Sequence, residues 1–313
     1  MRSISVVVPV YNSALIAEKL IERLVPVLQG LGGPFEIILV NDGSKDASWD
    51  VIQELSRRHA SVIAVDMMRN YGQHNALLCA IRLARNEVIV TLDDDLQHPP
   101  ECIPDLVAKL GETFDVVYGT PVHERHGFLR DLASRVTKLA LQASMGAETA
   151  SKVSALRCFR TQLRDAFVQY DGPFVSIDVL LTWGTTRFTT LPVPHEERKI
   201  GSSNYTFRKL VIHAMNMMTG FSTLPLQFAS LIGMTFTAFG GCVLAYVLIA
   251  YLVNGGSVPG FAFLASIIAI FSGAQLFALG IIGEYLARMH FRMMSRPSYV
   301  IRRSSGRDPE PLG

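Results

Sequence analysis

The most telling absence in this chain of 313 residues is charge. Between Leu210 and Gly283 there is no Asp, Glu, Lys or Arg. Two apolar stretches, 224–253 within that interval and 261–286 running three residues past it, each exceed the roughly 20 residues a helix needs to cross a bilayer. An uncharged, turn-like stretch (Asn254-Gly-Gly-Ser-Val-Pro-Gly260) separates them, so the pair is expected to form a helical hairpin. Cations lie only outside it: Arg208 and Lys209 before, then Arg288, Arg292, Arg296, Arg302 and Arg303 after. By the positive-inside rule both ends face the cytoplasm. A soluble buried hairpin is the competing reading, but the stretch has almost no polar face to offer water.

Other shortages exclude other classes. The four cysteines are scattered, with no Cys-x-x-Cys spacing and no nearby histidine cluster, so zinc ligation and disulfides are not expected. They read as small buried residues in a reducing compartment. A formal net charge of +2 lacks the basic excess of a nucleic-acid binder. The opening Met1-Arg-Ser-Ile-Ser-Val-Val-Val-Pro-Val10 reads as a buried strand, not a secretory signal, which keeps the first domain cytoplasmic. No repeat or low-complexity tract interrupts the chain. At 49% hydrophobic and 18% charged, it is too apolar for an ordinary soluble protein of its length.

What is present in the first part is a strand–helix rhythm. Apolar runs without alternation, at 4–10, 35–41, 62–68, 88–92 and 115–118, read as strands covered on both faces. Helical patterns lie between them, near 14–30, 46–59, 73–84 and 101–111. The expectation is an α/β domain with an open, mostly parallel sheet and ligands at the strands' carboxyl ends. Further strands are expected near 155–159 and 188–193, and a basic helix at 128–143. A first domain would cover 1–204, an amphipathic membrane-surface helix 205–222, the hairpin 223–288 and a basic cytoplasmic tail 289–313.

Polar clusters fall at equivalent strand ends. Tyr11-Asn12 follows the first strand, Asn41-Asp-Gly-Ser44 the second and Arg69-Asn-Tyr-Gly72 the third. The fourth runs into Asp93-Asp-Asp95, with Gln97 and then Pro99-Pro100 beyond. Asn-Asp-Gly-Ser is also ordinary turn chemistry. An isolated acidic triplet is as readily a solvated loop. Four such clusters at four like ends instead outline one crevice, and adjacent carboxylates there call for a hard divalent cation such as Mg²⁺ or Mn²⁺. Strand alternation would put Asp93 and Asp95 on one face and Asp94 on the other.

The motifs Pro9-Val-Tyr-Asn12, Asn41-Asp-Gly-Ser44, Arg69-Asn-Tyr-Gly-Gln-His74 and Thr91-Leu-Asp-Asp-Asp-Leu-Gln-His-Pro-Pro-Glu101 resemble those of family 2 glycosyltransferases with a GT-A, Rossmann-like fold. Leu156-Arg-Cys-Phe-Arg160, His195-Glu-Glu-Arg198, Gly283-Glu-Tyr-Leu-Ala-Arg288 and Arg296-Pro-Ser-Tyr299 fit the branch that glycosylates polyprenyl phosphates. The resemblance extends to about residue 302. It implies an inverting transfer from a UDP-sugar to a lipid phosphate at the cytoplasmic face of a bacterial inner membrane, for cell-envelope glycan or lipid A modification. Oligomeric state is left open.

By the same resemblance, Pro9, Tyr11, Asn12, Asp42, Asn70, Gly72 and Asp94 hold the nucleotide. Asp93 and Asp95 bind metal and diphosphate, with Gln97 a further ligand. Arg125, Arg130 and Arg198 face donor or acceptor phosphates, and Arg198 counts with Asp93 and Asp95 as catalytic. Three positions depart from the pattern: Ser13 for a glutamate, Ser151 for a carboxylate and Asn204 for a lysine. A lipid monophosphate needs no general base, because its second pKa of about 6 leaves it largely ionised near neutrality. The other readings are an inert membrane scaffold derived from a transferase and a processive polysaccharide synthase. The latter's Gln-x-x-Arg-Trp segment and extra membrane helices do not occur here.

Overall fold

The computed structural model describes residues 1–121, 153–172, 174–194, 223–254, 260–294 and 296–306. The basic helix expected at 128–143, the surface helix at 205–222 and most of the turn at 254–260 lie outside the described residues.

The described elements run β1 (Ile4–Val10), α1 (Ala17–Gly30), β2 (Phe35–Asn41), α2 (Ser48–Arg58), β3 (Val62–Met67), α3 (Gln73–Leu83) and β4 (Val88–Thr91). A 3-10 turn (Pro100–Cys102) leads into α4 (Ile103–Lys109), followed by β5 (Val116–Pro121) and β6 (Arg157–Arg160). Then come α5 (Ile177–Gly184), β7 (Phe188–Val193), α6 (Leu224–Asn254), α7 (Phe261–Met293) and β8 (Ile301–Ser305).

Eight strands form one sheet in the order β7-β5-β6-β4-β1-β2-β3-β8. Its centre, β4-β1-β2-β3, is parallel, as the unalternating apolar runs require. β1 is buried along its whole length. Its side chains serve both faces in turn. Val6 and Val8 join Leu20, Leu24, Ile52 and Leu106 on the side covered by α1, α2 and α4. Val7 joins Leu77, Leu78, Ile81 and Leu180 under α3 and α5. The apolar stripes of α1 and α3 are what the sheet needs to be covered, so the fold follows from matching the two periodicities.

Two strands break the parallel rule. β6 runs antiparallel to β4 and β5. β8 runs antiparallel to β3, at the sheet's edge. The segment expected to be a basic tail therefore supplies a strand, and the second long helix continues to Met293 instead of ending near 286. Arg302 and Arg303 are consecutive exposed residues between half-buried Ile301 and Ser304, so this short strand carries no period-2 pattern for the sequence to display.

α6 and α7 are long and apolar enough to cross a membrane. Phe239, Leu244, Leu276 and Leu279 are all more than half exposed. The two helices meet through Phe236 and Phe239 against Phe271. At Gly240 a Cβ would lie 2.9 Å from the Phe271 ring, so a small residue lets the helices approach. Cys79, Cys102 and Cys158 are buried as expected, but Cys242 is exposed on α6.

Candidate active site

In the parallel centre, β1 lies between β2 and β4, so the loops after β1 and β4 part company at a topological switch point. The loops after β1 to β4 all open there.

The loops after β2 and β3 are tied to one another by backbone amides. Asp42, just past β2, accepts from the amides of Tyr71 (2.6 Å) and Gly72 (2.9 Å) beyond β3. Gly72 has φ +96°, a conformation that favours glycine. Gly43 has φ +64°, and a Cβ on it would sit 2.4 Å from the Asn70 nitrogen. Only glycine lets these two loops touch. Asn12, itself left-handed at φ +54°, donates its amide to Ser44 Oγ (3.0 Å) and accepts from the Lys45 amide through Oδ1 (2.8 Å). Pro9 is buried one residue before the end of β1, Tyr11 is exposed just beyond it, and Arg69 stacks 4.4 Å over the Tyr71 ring.

The acidic turn is built differently from the expectation. β4 ends at Thr91, so strand alternation does not reach the aspartates. Leu96 at φ +58° and the Gln97 amide donating to Asp95 Oδ1 (3.1 Å) set the turn instead. Arg23 on α1 holds the turn's far end by a two-pronged pair with Glu101 (3.0 and 2.7 Å). Asp93 accepts from Gln73 Nε2 at 2.7 Å. Asp94 turns towards β1 and accepts from the Tyr11 amide (3.1 Å) and Ser13 Oγ (2.5 Å). Ser13 thus takes on meaning. The carboxylate that the resemblance expects at position 13 reaches this loop from across the crevice, as Asp94.

Burial pushes the Asp93 carboxyl up to about 6, and the neighbouring charge of Asp95 adds to it, against the pull of Arg157 and the Gln73 bond. Burial also raises Asp42 and Asp94, despite the amides that bind them. Among the described residues no cluster of three or more His, Cys, Asp or Glu side chains forms a closed metal cage. The donors here are two carboxylates in an open, half-buried crevice, which suits a hard cation that shares its coordination with phosphate oxygens.

Beneath Asp93 lies a buried ion pair that was not among the expected site residues. Arg157 on β6 binds Asp178 on α5 through Nε (2.6 Å) and Nη2 (2.9 Å), and reaches the Ala155 carbonyl (2.9 Å) and Thr91 Oγ1 (3.3 Å) through Nη1. Tyr118 donates to Asp178 at 3.2 Å. Arg157 and Asp178 are both 4% exposed. Burial pushes Asp178 up, but the guanidinium outweighs it and holds the carboxyl below its usual range. The signal was available: a lone carboxylate in the apolar run Ile177-Asp-Val-Leu-Leu181 must find a buried partner.

The structure therefore brings together Pro9, Tyr11, Asn12, Asp42, Asn70, Gly72, Asp93, Asp94 and Asp95, with the Gln97 backbone in the same turn. Arg125, Arg130 and Arg198 lie outside the described residues, as do Ser151 and Asn204.

The sheet order and the crevice at its switch point are those of a GT-A, Rossmann-like domain. Residues 5–170 match the model described as glycosyl transferase family 2, which makes this protein a family 2 glycosyltransferase. Over 308 residues it is 34% identical to an undecaprenyl-phosphate 4-deoxy-4-formamido-L-arabinose transferase of Pectobacterium atrosepticum, covering 97% of this chain and 94% of the relative. The transferase of the same name from Salmonella agona is 34% identical over 305 residues, covering 96% of this chain and 93% of the relative. Among solved structures, glucosyl-3-phosphoglycerate synthase from Mycobacterium tuberculosis, in complex with Mn²⁺ and UDP, superposes with a TM-score of 0.53 at 20% identity, covering 70% of this chain and 78% of that one. That likeness bears on the fold.

Proposed function

We propose that this enzyme transfers a sugar from a UDP-sugar to a membrane polyprenyl phosphate, with inversion, at the cytoplasmic face of the bacterial inner membrane. The carrying observation is one chain that joins Asp93 and Asp95 at the switch point of a family 2 sheet to two long exposed apolar helices. Its relatives over nearly the whole length are named as undecaprenyl-phosphate sugar transferases. A soluble donor and a lipid acceptor account for both halves.

In this reading Tyr11, Asn12, Asn70 and Gly72 line the nucleoside side, and Asp42 holds the loop that carries Tyr71 and Gly72. Asp94 fixes the β1 loop against the acidic turn. Asp93 and Asp95, with Gln97, would hold Mg²⁺ or Mn²⁺. Such a cation neutralises charge on the departing diphosphate. Arg198, Arg125 and Arg130 are assigned to phosphate oxygens, where a guanidinium fork suits the geometry. The acceptor phosphate is its own nucleophile, so the enzyme's task is positioning and electrostatics. α6 and α7 keep the lipid phosphate at the depth of the crevice.

Incubating the purified full-length protein with undecaprenyl phosphate, Mn²⁺ or Mg²⁺ and a panel of labelled UDP-sugars tests this. One sugar should appear on the lipid, and Asp95→Ala should remove at least 99% of the rate, on the order of the effect of losing a key electrostatic group. An Asp95→Ala enzyme as fast as the parent would refute the mechanism.

A further inference from the structure

β8 places two arginines on the nucleotide side of the sheet. Arg303 donates from Nε to Asp66 Oδ2 (3.1 Å), and its guanidinium lies 4.5 Å over the Trp49 ring. Arg302 donates from Nη2 to the Met68 carbonyl (2.8 Å), and the Met68 amide donates to the Val300 carbonyl (2.9 Å). Asp66 is 4% exposed and sits where the β3–β8 register shifts, one residue before β3 ends. Its other oxygen accepts from Asn41 Nδ2 at 2.7 Å. Asn41 directly precedes Asp42, which binds the amides of Tyr71 and Gly72. A continuous path thus runs from β8 through Asp66 and Asn41 to the loop at 69–72, with a second, shorter path through Met68.

The approach to β8 is also fixed. Arg288 and Arg292, near the end of α7, stack over Phe174 (4.4 Å) and Tyr170 (5.9 Å) of the catalytic domain. Arg82 on α3 stacks 5.5 Å from the Tyr299 ring. The second long helix therefore enters the domain through cation–aromatic contacts and ends as a strand beside the nucleotide loop.

We propose that β8 is a brace in which Arg303, Arg302 and Asp66 are positioning residues that hold the loop at 69–72 in its nucleotide-binding shape. The chain after the apolar hairpin thereby becomes part of the donor site. The nucleotide role rests on the transferase reading above. The brace itself does not.

Among the described residues, Asp66 without Arg303 keeps only Asn41 and a more distant Arg302 (4.0 Å), so it must draw in water or move. Either response loosens Asn41 and the loop it anchors.

The test uses full-length protein in detergent or nanodiscs, as wild type, Arg303→Gln, Arg303→Lys and Asp66→Asn. Hydrogen exchange at the amides of Tyr71 and Gly72 should quicken at least tenfold in Arg303→Gln and Asp66→Asn, with β1 and α3 unchanged. UDP affinity in Mn²⁺ should fall about five- to twentyfold. Donor KM should rise while kcat and acceptor KM hold. Arg303→Lys should recover part of each effect, which a loss of fold would not allow. Unchanged exchange at 71–72 would overturn the brace, and faster exchange with unaltered UDP affinity would overturn its role in the site. A wild-type protein that bound no UDP would overturn the transferase reading, while the exchange data would still decide the brace.

Discussion

Replacing Asp93 with asparagine should make the cation-free protein more stable at neutral pH, although the residue stands at the centre of the site. Its carboxyl is moved from 3.8 to about 6, first by burial and then by Asp95. Between those values the folded protein keeps a proton that the unfolded chain has released, so stability falls as pH rises through the interval. Below pH ~4 the group is protonated in both states and costs nothing. Above about 6 the full penalty applies, and two units at about 1.4 kcal/mol each make it on the order of 3 kcal/mol. In a domain of this size that corresponds to roughly 6–12 °C in Tm. Asparagine preserves the contact with Gln73 and removes the charge. Melting curves of wild type and Asp93→Asn, from pH 4 to pH 8 without divalent cation, should converge at the acid end and separate above pH 6, with the variant higher. Mn²⁺ with UDP should reverse the order, since a ligand at a hundred times its Kd adds about 2.7 kcal/mol to the protein that binds it. An Asp93→Asn protein that melted at or below the wild type at pH 8 without cation would refute the reasoning.

Asp178→Ala leaves the Arg157 guanidinium buried and unpaired, and should cost about 3–5 kcal/mol in chemical denaturation. The double change Arg157→Met with Asp178→Leu should recover most of it, and failure to do so would mean that the pair has more than a packing role. Ser13→Glu places a second carboxylate against Asp94 and should weaken UDP binding by tenfold or more. Adding Asp94→Ala should restore most of the affinity, as measured by calorimetry, because a single carboxylate then meets the loop. Gly43→Ala meets both a left-handed φ and the Asn70 backbone. It should lose about 1–3 kcal/mol of stability and most UDP affinity, while Gly30→Ala, with open space around it, should do neither.

The parallel centre was legible because β1 to β4 are Val- and Ile-rich runs without polar alternation, as a sheet covered on both faces requires. Crevice placement followed, since the clusters at Tyr11, Asp42, Asn70 and Asp93 sit at like ends. Three things were hidden, each for a physical reason. β8 has too few residues to display a period, and its arginines read equally as membrane-flanking charge. Asp94 does point away from Asp93 and Asp95, but β4 has already ended at Thr91, so the left-handed turn at Leu96 that shapes the acidic loop was not visible in the alternation that had separated them. The Arg157–Asp178 pair joins positions 21 residues apart that only the antiparallel entry of β6 next to β4 brings together. Local patterns thus located the site, while its supports came from non-local pairing.

The carboxylates of the crevice divide by task. Asp42 spends both oxygens on backbone amides, and Asp94 accepts from an amide and a hydroxyl on the β1 loop. These two are wall-builders: their partners are fixed, and a cation would have to displace them. Asp93 is met by a flexible amide side chain, Gln73, and lies beside the charge of Asp95. A group in that position gains most from an incoming cation, because the cation relieves both its burial and its neighbour's repulsion. The fold therefore leaves Asp93 with an electrostatic penalty that a cation would relieve, while Arg157 and Asp178, already neutral as a pair, keep the floor beneath it in place. It follows that cation affinity should fall far more for Asp93→Asn than for Asp94→Asn. UDP-loop order should show the opposite ranking.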